Sequence, residues 1–419
     1  MGYYFKSKNI KLKLKSSALG YAITFSLLIG LVCSGMLFIS SVNKRLEINY
    51  ITKEYLIFNN LFALNYGAKL KEKTSETIYH ASGDTSNIQL KKWGAFQIAV
   101  AKTFNGNKSI EKSALIGTEK PSTLPSLYLS DNGQPLKLGG ATKIEGIAFL
   151  PERGVERAYI SGKNYLNKEL VYGEKKKSDR FLPKLNTEFS NLNLESFIKD
   201  VVKIDDIQKD TVFSFNNPTT LFSTIEAIYI RNNIKGNVII HSFDSIYVSA
   251  ESSLQNVILI SPIVHFEKGF KGNVQVVAHQ SISCEEGVRL TYPSTLVLNE
   301  EQSYLGLKSA TIFIDENVQV RGGVLLLSKV NNFRKPVRLF IAEKSTLSGI
   351  VYNQGTTEIK GVIIGSLYTN AFDLKTAGGQ YSNHIVDAEI SSKKLPDSFM
   401  IPNWLEVENN RPSRIIERF

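Results

Sequence analysis

Between Ser16 and Asn43 the chain carries no charged side chain over 28 positions. About 20 apolar residues span a bilayer as a helix, so this run is long enough to do so. Its apolar region exceeds the ~7–15 residues of a secretory signal, and no small-x-small cleavage site follows it. Val32 before Cys33 is too large for a lipoprotein signal. Met1-Gly2 resembles a myristoylation start, but Lys6 stands where that signal needs Ser or Thr. The expectation is an uncleaved single-pass anchor meeting the membrane through residues 18–42. Lys6, Lys8, Lys11, Lys13 and Lys15 precede the run without an intervening acid, whereas Lys44 and Arg45 are soon followed by Glu47 and Glu54. The positive-inside bias then places the N-terminus in the cytoplasm and the body outside the cytoplasmic membrane.

Beyond the anchor, Leu46, Tyr50, Phe58, Leu61, Phe62 and Leu70 recur at helical spacing among polar residues. This predicts an amphipathic extension of the helix to about Lys73. A basic leader, an apolar helix, an amphipathic continuation and a β-rich body together resemble the layout of pilin-like and pseudopilin-like proteins. The acid that pilins carry five residues after their cleavage-site glycine is absent: counting from Gly20, that place holds Phe25. An ordinary anchor with a juxtamembrane helix fits the same residues.

After Ser82-Gly83-Asp84 the character changes. Trp93 to Lys102 reads as a first strand and Thr103 to Pro125 as a polar connector. From Leu127 onward, short β-branched runs such as Val238-Ile239-Ile240, Val257–Ile260, Thr311–Ile314 and Val324–Leu326 alternate with Gly, Asn and Ser. Asn237-Val238, Asn256-Val257 and Asn273-Val274 open strands at steps of 19 and 17. A turn motif with an acid in second place begins at Ala250, Phe266, Cys284, Ile314 and Ala342, at steps of 16, 18, 30 and 28. Repetition at this period predicts a mainly β chain whose body is a parallel β-solenoid, with a sandwich as the competing fold. In that register Ala250, Phe266, Cys284, Ile314 and Ala342 form one inward column, and Leu254, Phe270, Val288, Val318 and Thr346 another. Glu251, Glu267, Glu285, Asp315 and Glu343 form an outward column of acids, because stacked charges are costly in a core.

Thr346 to Tyr368, with Gly349, Gly361 and Gly365 set among apolar pairs, resembles the coils of bactofilins, with an echo at Thr142–Ala148. That resemblance implies β-helical coils, which in bactofilins polymerise end to end. The organisation read from the whole chain is a basic leader and membrane helix (1–43), a juxtamembrane helix (44–82) and an N-terminal β-rich region (83–174). A helical insertion or joint (175–210), the main solenoid (211–381) and a capping tail (382–419) follow. The joint rests on Phe189, Leu192, Leu194, Phe197, Ile198 and Val201 at helical spacing, the tail on Pro396, Pro402, Pro412 and Trp404.

Chemistry is sparse. Two cysteines, Cys33 and Cys284, exclude a disulfide scaffold or a multi-cysteine zinc site. His80, His241, His265, His279 and His384 lack ligand spacing, although His265 and His279 could share a face with Cys284. A glycoside hydrolase needs paired carboxylates on one face. The candidates are Asp244, Glu267, Glu285, Glu286 and Asp315, with Asp205-Asp206 in the joint. The repeat already accounts for three of the first five as turn residues. The net charge of +11 draws five charges from the leader, and Lys175–Lys177 with Lys184 form one further cluster without interleaved aromatics. No catalytic, cofactor or metal residue is assigned, and nucleic acid is not an expected partner. The expected role is a non-enzymatic, membrane-anchored envelope scaffold assembling with itself or a pilus-like machine. The competing class is a carbohydrate-active β-helix enzyme.

Overall fold

The computed structural model describes residues 16–70, 75–160, 162–185, 201–204, 207, 209–300, 309–328, 336–402, 404 and 411–419. One unbroken helix, Ser16–Gly67, opens it, and no proline interrupts that segment. Residues 18–50 are exposed throughout, and burial begins only near Leu56. From there Leu56, Asn60, Ala63, Leu64 and Ala68 form a buried stripe. This is not the face expected from the spacing of the large residues. Leu46, Tyr50, Phe58 and Phe62 are exposed, and the helix stops at Gly67, short of Lys73. The reason is close approach. A Cβ on Gly67 would lie 2.9 Å from Ile88 Cγ2 and 3.5 Å from Ala99 Cβ. No side chain fits at Gly67 itself; Leu56 and Leu64 are the large residues buried on this face, and the aromatic ones are left on the opposite face.

The partner of this stripe is a six-stranded antiparallel sheet. Strands β1 (Ser75–Tyr79), β2 (Thr85–Trp93), β3 (Phe96–Asn105) and β4 (Lys108–Glu119) run as a meander. Met400–Ile401 and Ser413–Arg418 then add to β4. The single strand expected over Trp93–Lys102 is therefore two strands and a turn, and the expected connector contains β4. The pattern was unreadable because the sheet is covered on both sides. Ile88, Ala99, Ala101, Ala114 and Ile116 pack with the helix. Trp93, Phe96, Ile98, Val100 and Leu115 belong to a second core shared with the β-rich body. Gln275 joins the two parts: its amide accepts from Ala95 N (2.7 Å) and donates to Trp93 O (3.1 Å).

The body is a large parallel sheet in which each strand pairs with one a repeat later. Ile230, Val248, Phe266 and Cys284 are successive partners at steps of 18, followed by Ile314, Ile341 and Ile359. Phe266, Cys284 and Ile314 thus share a column as expected, all fully buried. The ends of the expected column are corrected. Val248, not the exposed Ala250, precedes Phe266, and Ile341, not Ala342, follows Ile314. In the second column Phe270, Val288 and Val318 each precede the paired residues Lys271, Arg289 and Gln319. Leu254 pairs instead with Ile234, and Thr346 with Gln319 itself. The two long steps hide no extra repeat, since Arg289 pairs directly with Gln319 and Gln319 with Thr346.

Spatial order departs from chain order. The strand Val362–Thr376 pairs with Leu127–Leu129 and Glu389–Ser391. Beyond them lie Lys143–Glu145, Ala148–Leu150 and Lys175–Lys177. The early strands therefore stack beyond the last repeat, not before the first. The segment after Lys177 turns back along the flank: Tyr128 Oη donates to Phe181 O (3.3 Å) and Tyr352 Oη to Pro183 O (2.9 Å). The helix expected over Phe189–Ile198 falls outside the described residues, while Val201 lies in a parallel strand, Val201–Ile204. The tail is corrected too. Trp404 is fully buried on the flank against Gly323 and does not cap a repeat.

Candidate functional site

The outward acids do not converge. Glu267 and Glu251 are exposed, and Glu285 and Asp315 half-buried, so none enters the core. Each of two acids reaches back to the preceding turn: Glu267 Oε2 accepts from Ala250 N (3.3 Å) and Glu285 Oε2 from Lys268 N (2.9 Å). Glu285 Oε1 also lies 3.1 Å from His265 Nε2. The Lys268 ammonium hydrogen-bonds Glu286 at 2.5 Å and holds that carboxyl below its usual range. Asp244 N is capped by Ser242 Oγ at an exposed corner, and Asp315 Oδ1 accepts from Glu316 N. Glu267, Glu285 and Glu286 thus link one turn to the preceding one, while Asp244 and Asp315 bond within their own turns. Asp205 and Asp206 fall outside the described residues.

The histidines are dispersed. His265 Nδ1 meets Ser283 Oγ at 2.7 Å, and His241 Nδ1 meets Ser223 Oγ at 2.8 Å. Cys284 follows Ser283 on its strand, so its fully buried thiol points away from His265, and burial pushes its pKa up. His265, His279 and Cys284 therefore do not share a face. Among the described residues no group of three His, Cys, Asp or Glu side chains could hold a metal. His80 Nε2 contacts Ser86 Oγ (2.7 Å); burial lowers its pKa against the opposing pull of Asp84. His384 Nδ1 meets Ser382 O. Lys175–Lys177 form an exposed strand, with Lys177 paired to Glu152 at 3.0 Å and Lys176 5.9 Å above the Phe149 ring.

What stands out is the helix itself. It is long and apolar enough to cross a membrane, with its most apolar window wholly exposed. Two buried amides clamp its other half. Asn60 Nδ2 donates to Ala101 O (2.7 Å), with Thr103 Oγ1 and Ile110 O at 3.2 Å. Asn59 Nδ2 donates to Asp84 Oδ2 (2.6 Å), whose other oxygen accepts from Asn105 Nδ2. Buried hydrogen bonds of this kind fix rotation and register, because misplacing either amide strands a polar group in the core. Neither amide is prominent in the sequence, although adjacent asparagines inside an apolar helix were a usable signal. On the opposite side Ile51, Tyr55, Phe58, Phe62 and Tyr66 form an exposed apolar stripe at helical spacing. Phe62 stacks on Tyr66 at 6.4 Å.

No protein-family model matches the chain, and no curated protein does. Among solved structures it is weakly similar to the competence-associated pilin ComZ from Thermus thermophilus. Identity is 9%, the alignment covers 83% of this chain and 86% of that one, and the TM-score is 0.20. Similarity at that level establishes neither a shared fold nor a shared role.

Proposed function

We propose that this chain is a pilin-like structural subunit, anchored by its helix in the cytoplasmic membrane with the body outside. The observation that carries the reading is the division of one continuous helix. Its first half is free and apolar, and its second half is clamped to an antiparallel sheet by Asn59 and Asn60. A rigid rod of this kind holds the body at a fixed height and angle. In this reading the parallel ladder is a β-solenoid, and the Thr346–Tyr368 region, similar to bactofilin coils, belongs to it. The stripe of Ile51, Tyr55, Phe58, Phe62 and Tyr66 is then where a second helix of the same kind packs in an assembled array. The role is scaffolding and not catalysis; in support, Glu267 and Glu285 are engaged with turn amides and Glu286 with Lys268.

The test is cysteine crosslinking in membranes. Phe58→Cys in a Cys33→Ser background gives a disulfide-linked dimer on mild oxidation, whereas Lys235→Cys on the body does not. Dimer yields equal at both positions would refute packing through this stripe. Protease added to spheroplasts digests the chain beyond Asn43; protection of that part would reverse the orientation.

A further inference from the structure

Below the clamp, one element of the body descends alongside the free helix. The β3–β4 hairpin turns through Gly106 and Asn107, and at its tip Lys108 Nζ donates to Asn49 Oδ1 (2.5 Å). Asn49 lies 11 residues before Asn60, about three turns at about 3.6 residues each, so both amides share the face that meets the sheet. The hairpin therefore follows the helix from the clamp towards the apolar half.

Its height above the bilayer follows from the sequence. With Lys44, the first charged residue past the run, set at the outer limit of the hydrocarbon, the 28 residues, about 42 Å, overrun a core of about 30 Å at the inner end. Asn49 is five residues further on, about 7.5 Å at about 1.5 Å of rise per residue. Each headgroup layer is about 5–8 Å thick, taking a total of about 40–45 Å against a core of about 30 Å. The hairpin tip thus reaches the outer headgroup layer.

The charge at that level is one-sided. Residues four apart share a helix face, so Arg45, Asn49 and Lys53 line the side on which the hairpin lies. Glu47 and Glu54 are turned about 160° and about 140° away from Asn49 at about 100° per residue. All four charged residues are exposed. With the exposed Lys108, Arg45 and Lys53 form a cationic cluster around Asn49, of which Arg45 and Lys108 lie at the level of the headgroups.

We propose that the β3–β4 hairpin is a membrane-contact element, seating the body on the bilayer through Lys108 and Arg45 on the phosphates of anionic phospholipids. The inference rests on the helix spanning the membrane. Two contacts, rod and hairpin, fix the tilt of the body where a rod alone would leave it free to swing. Each cation near an anionic surface adds attraction that weakens with salt.

The test uses the full chain with Cys33→Ser, a single fluorophore, and vesicles of phosphatidylcholine and phosphatidylglycerol carrying either headgroup or acyl-chain nitroxides. Labels go on Asn107→Cys, on Leu28→Cys and on Asp397→Cys. Asp397 is exposed and pairs with Lys120 beside the far end of β4, about 36 Å from the tip at about 3.3 Å per residue. Headgroup nitroxides are expected to quench the Asn107 label at least about twofold more than the Asp397 label. Adding Lys108→Glu and Arg45→Glu is expected to remove that excess, as is replacing phosphatidylglycerol by phosphatidylcholine. Equal quenching at Asn107 and Asp397, with Leu28 quenched by acyl-chain nitroxides, overturns the headgroup contact alone. An unquenched Leu28 overturns the membrane span with it. An excess that survives both the charge reversals and the lipid exchange overturns recognition of anionic phosphate.

Discussion

Replacing Gly349 by alanine puts a methyl group where the preceding repeat has its backbone. Gly322, Gly349 and Gly365 are partners in three successive strands, with φ of +143°, +128° and +141°. A Cβ on Gly349 would lie 1.9 Å from Gly322 O and 2.8 Å from Gly322 C. Such φ values are nearly glycine-only and cost a side chain on the order of 1–3 kcal/mol before any clash. The clash cannot relax by a rotamer change, because the blocking atoms belong to a paired strand. A total near ~3–5 kcal/mol follows, the range reserved for backbone and core failures. Gly269 is the matched control. Its φ is +82°, and a Cβ there would meet nothing within 4 Å. Gly269→Ala therefore carries only the left-handed penalty of about 1–2 kcal/mol. At roughly 2 °C per kcal/mol for a chain this long, thermal unfolding in detergent followed by circular dichroism should show drops of about 6–10 °C and about 2–4 °C respectively. Gly365→Ala should match Gly349→Ala, since its Cβ would lie 1.9 Å from Gly349 O. Equal shifts for Gly349→Ala and Gly269→Ala would refute the stacked-backbone account.

Asn60→Ala removes the donor to Ala101 O and should lower stability by about 1–3 kcal/mol, whereas Asn65→Ala on the exposed side should stay within about 0.5 kcal/mol; urea midpoints of the two variants decide it. Burial lowers the pKa of His241 and His279, with the charge of His279 adding to the effect on His241. The folded state then binds fewer protons than the unfolded chain just below about pH 6.5, so stability falls as pH drops through that window. Midpoints at pH 7.5 and 5 should differ in that sense, less so in His241→Gln; a midpoint rising on acidification would contradict it. Cys284 should resist alkylation at pH 8 until the chain unfolds, since the thiol is fully buried and its pKa is raised; mass spectrometry of folded protein reads the modification directly. Reducing agent should leave the melting midpoint unchanged, both cysteines being free.

The repeat was legible because its turns are chemically stereotyped. An acid beside a small or left-handed residue recurs once per repeat, and the structure uses Glu267 and Glu285 to bind neighbouring turns. Phe266, Cys284 and Ile314 could be aligned from that alone, but Ala250 and Ala342 could not. At those two, the motif and the strand register part by two residues and by one. The antiparallel sheet left little trace. Ala99, Ala101, Thr103 and Ala114 are small because a helix lies on them, and small residues blur the alternation of a half-buried strand. The helix misled for the same reason: its largest side chains mark the face left open, not the face that packs. Nothing local could reveal that Leu127–Leu129 stacks on Val362–Thr376, since that pairing joins segments some 240 residues apart.

That pairing has a consequence for how the protein matures. Leu127–Leu129 leaves the ribosome long before its partner exists, and β4 waits still longer for Ser413–Arg418. Ladder strands between Thr219 and Thr376 can zip up in order, each on the one just made. The early strands must instead stay open through synthesis, their edges offered to any other extended chain nearby. Two long-range closures therefore come late and in order, and a ribosome that stops before Ser413 releases a molecule whose β4 edge is still without that strand. Maturation of this protein is a clasp with two fastenings, the second closed only when Ser413–Arg418 arrives.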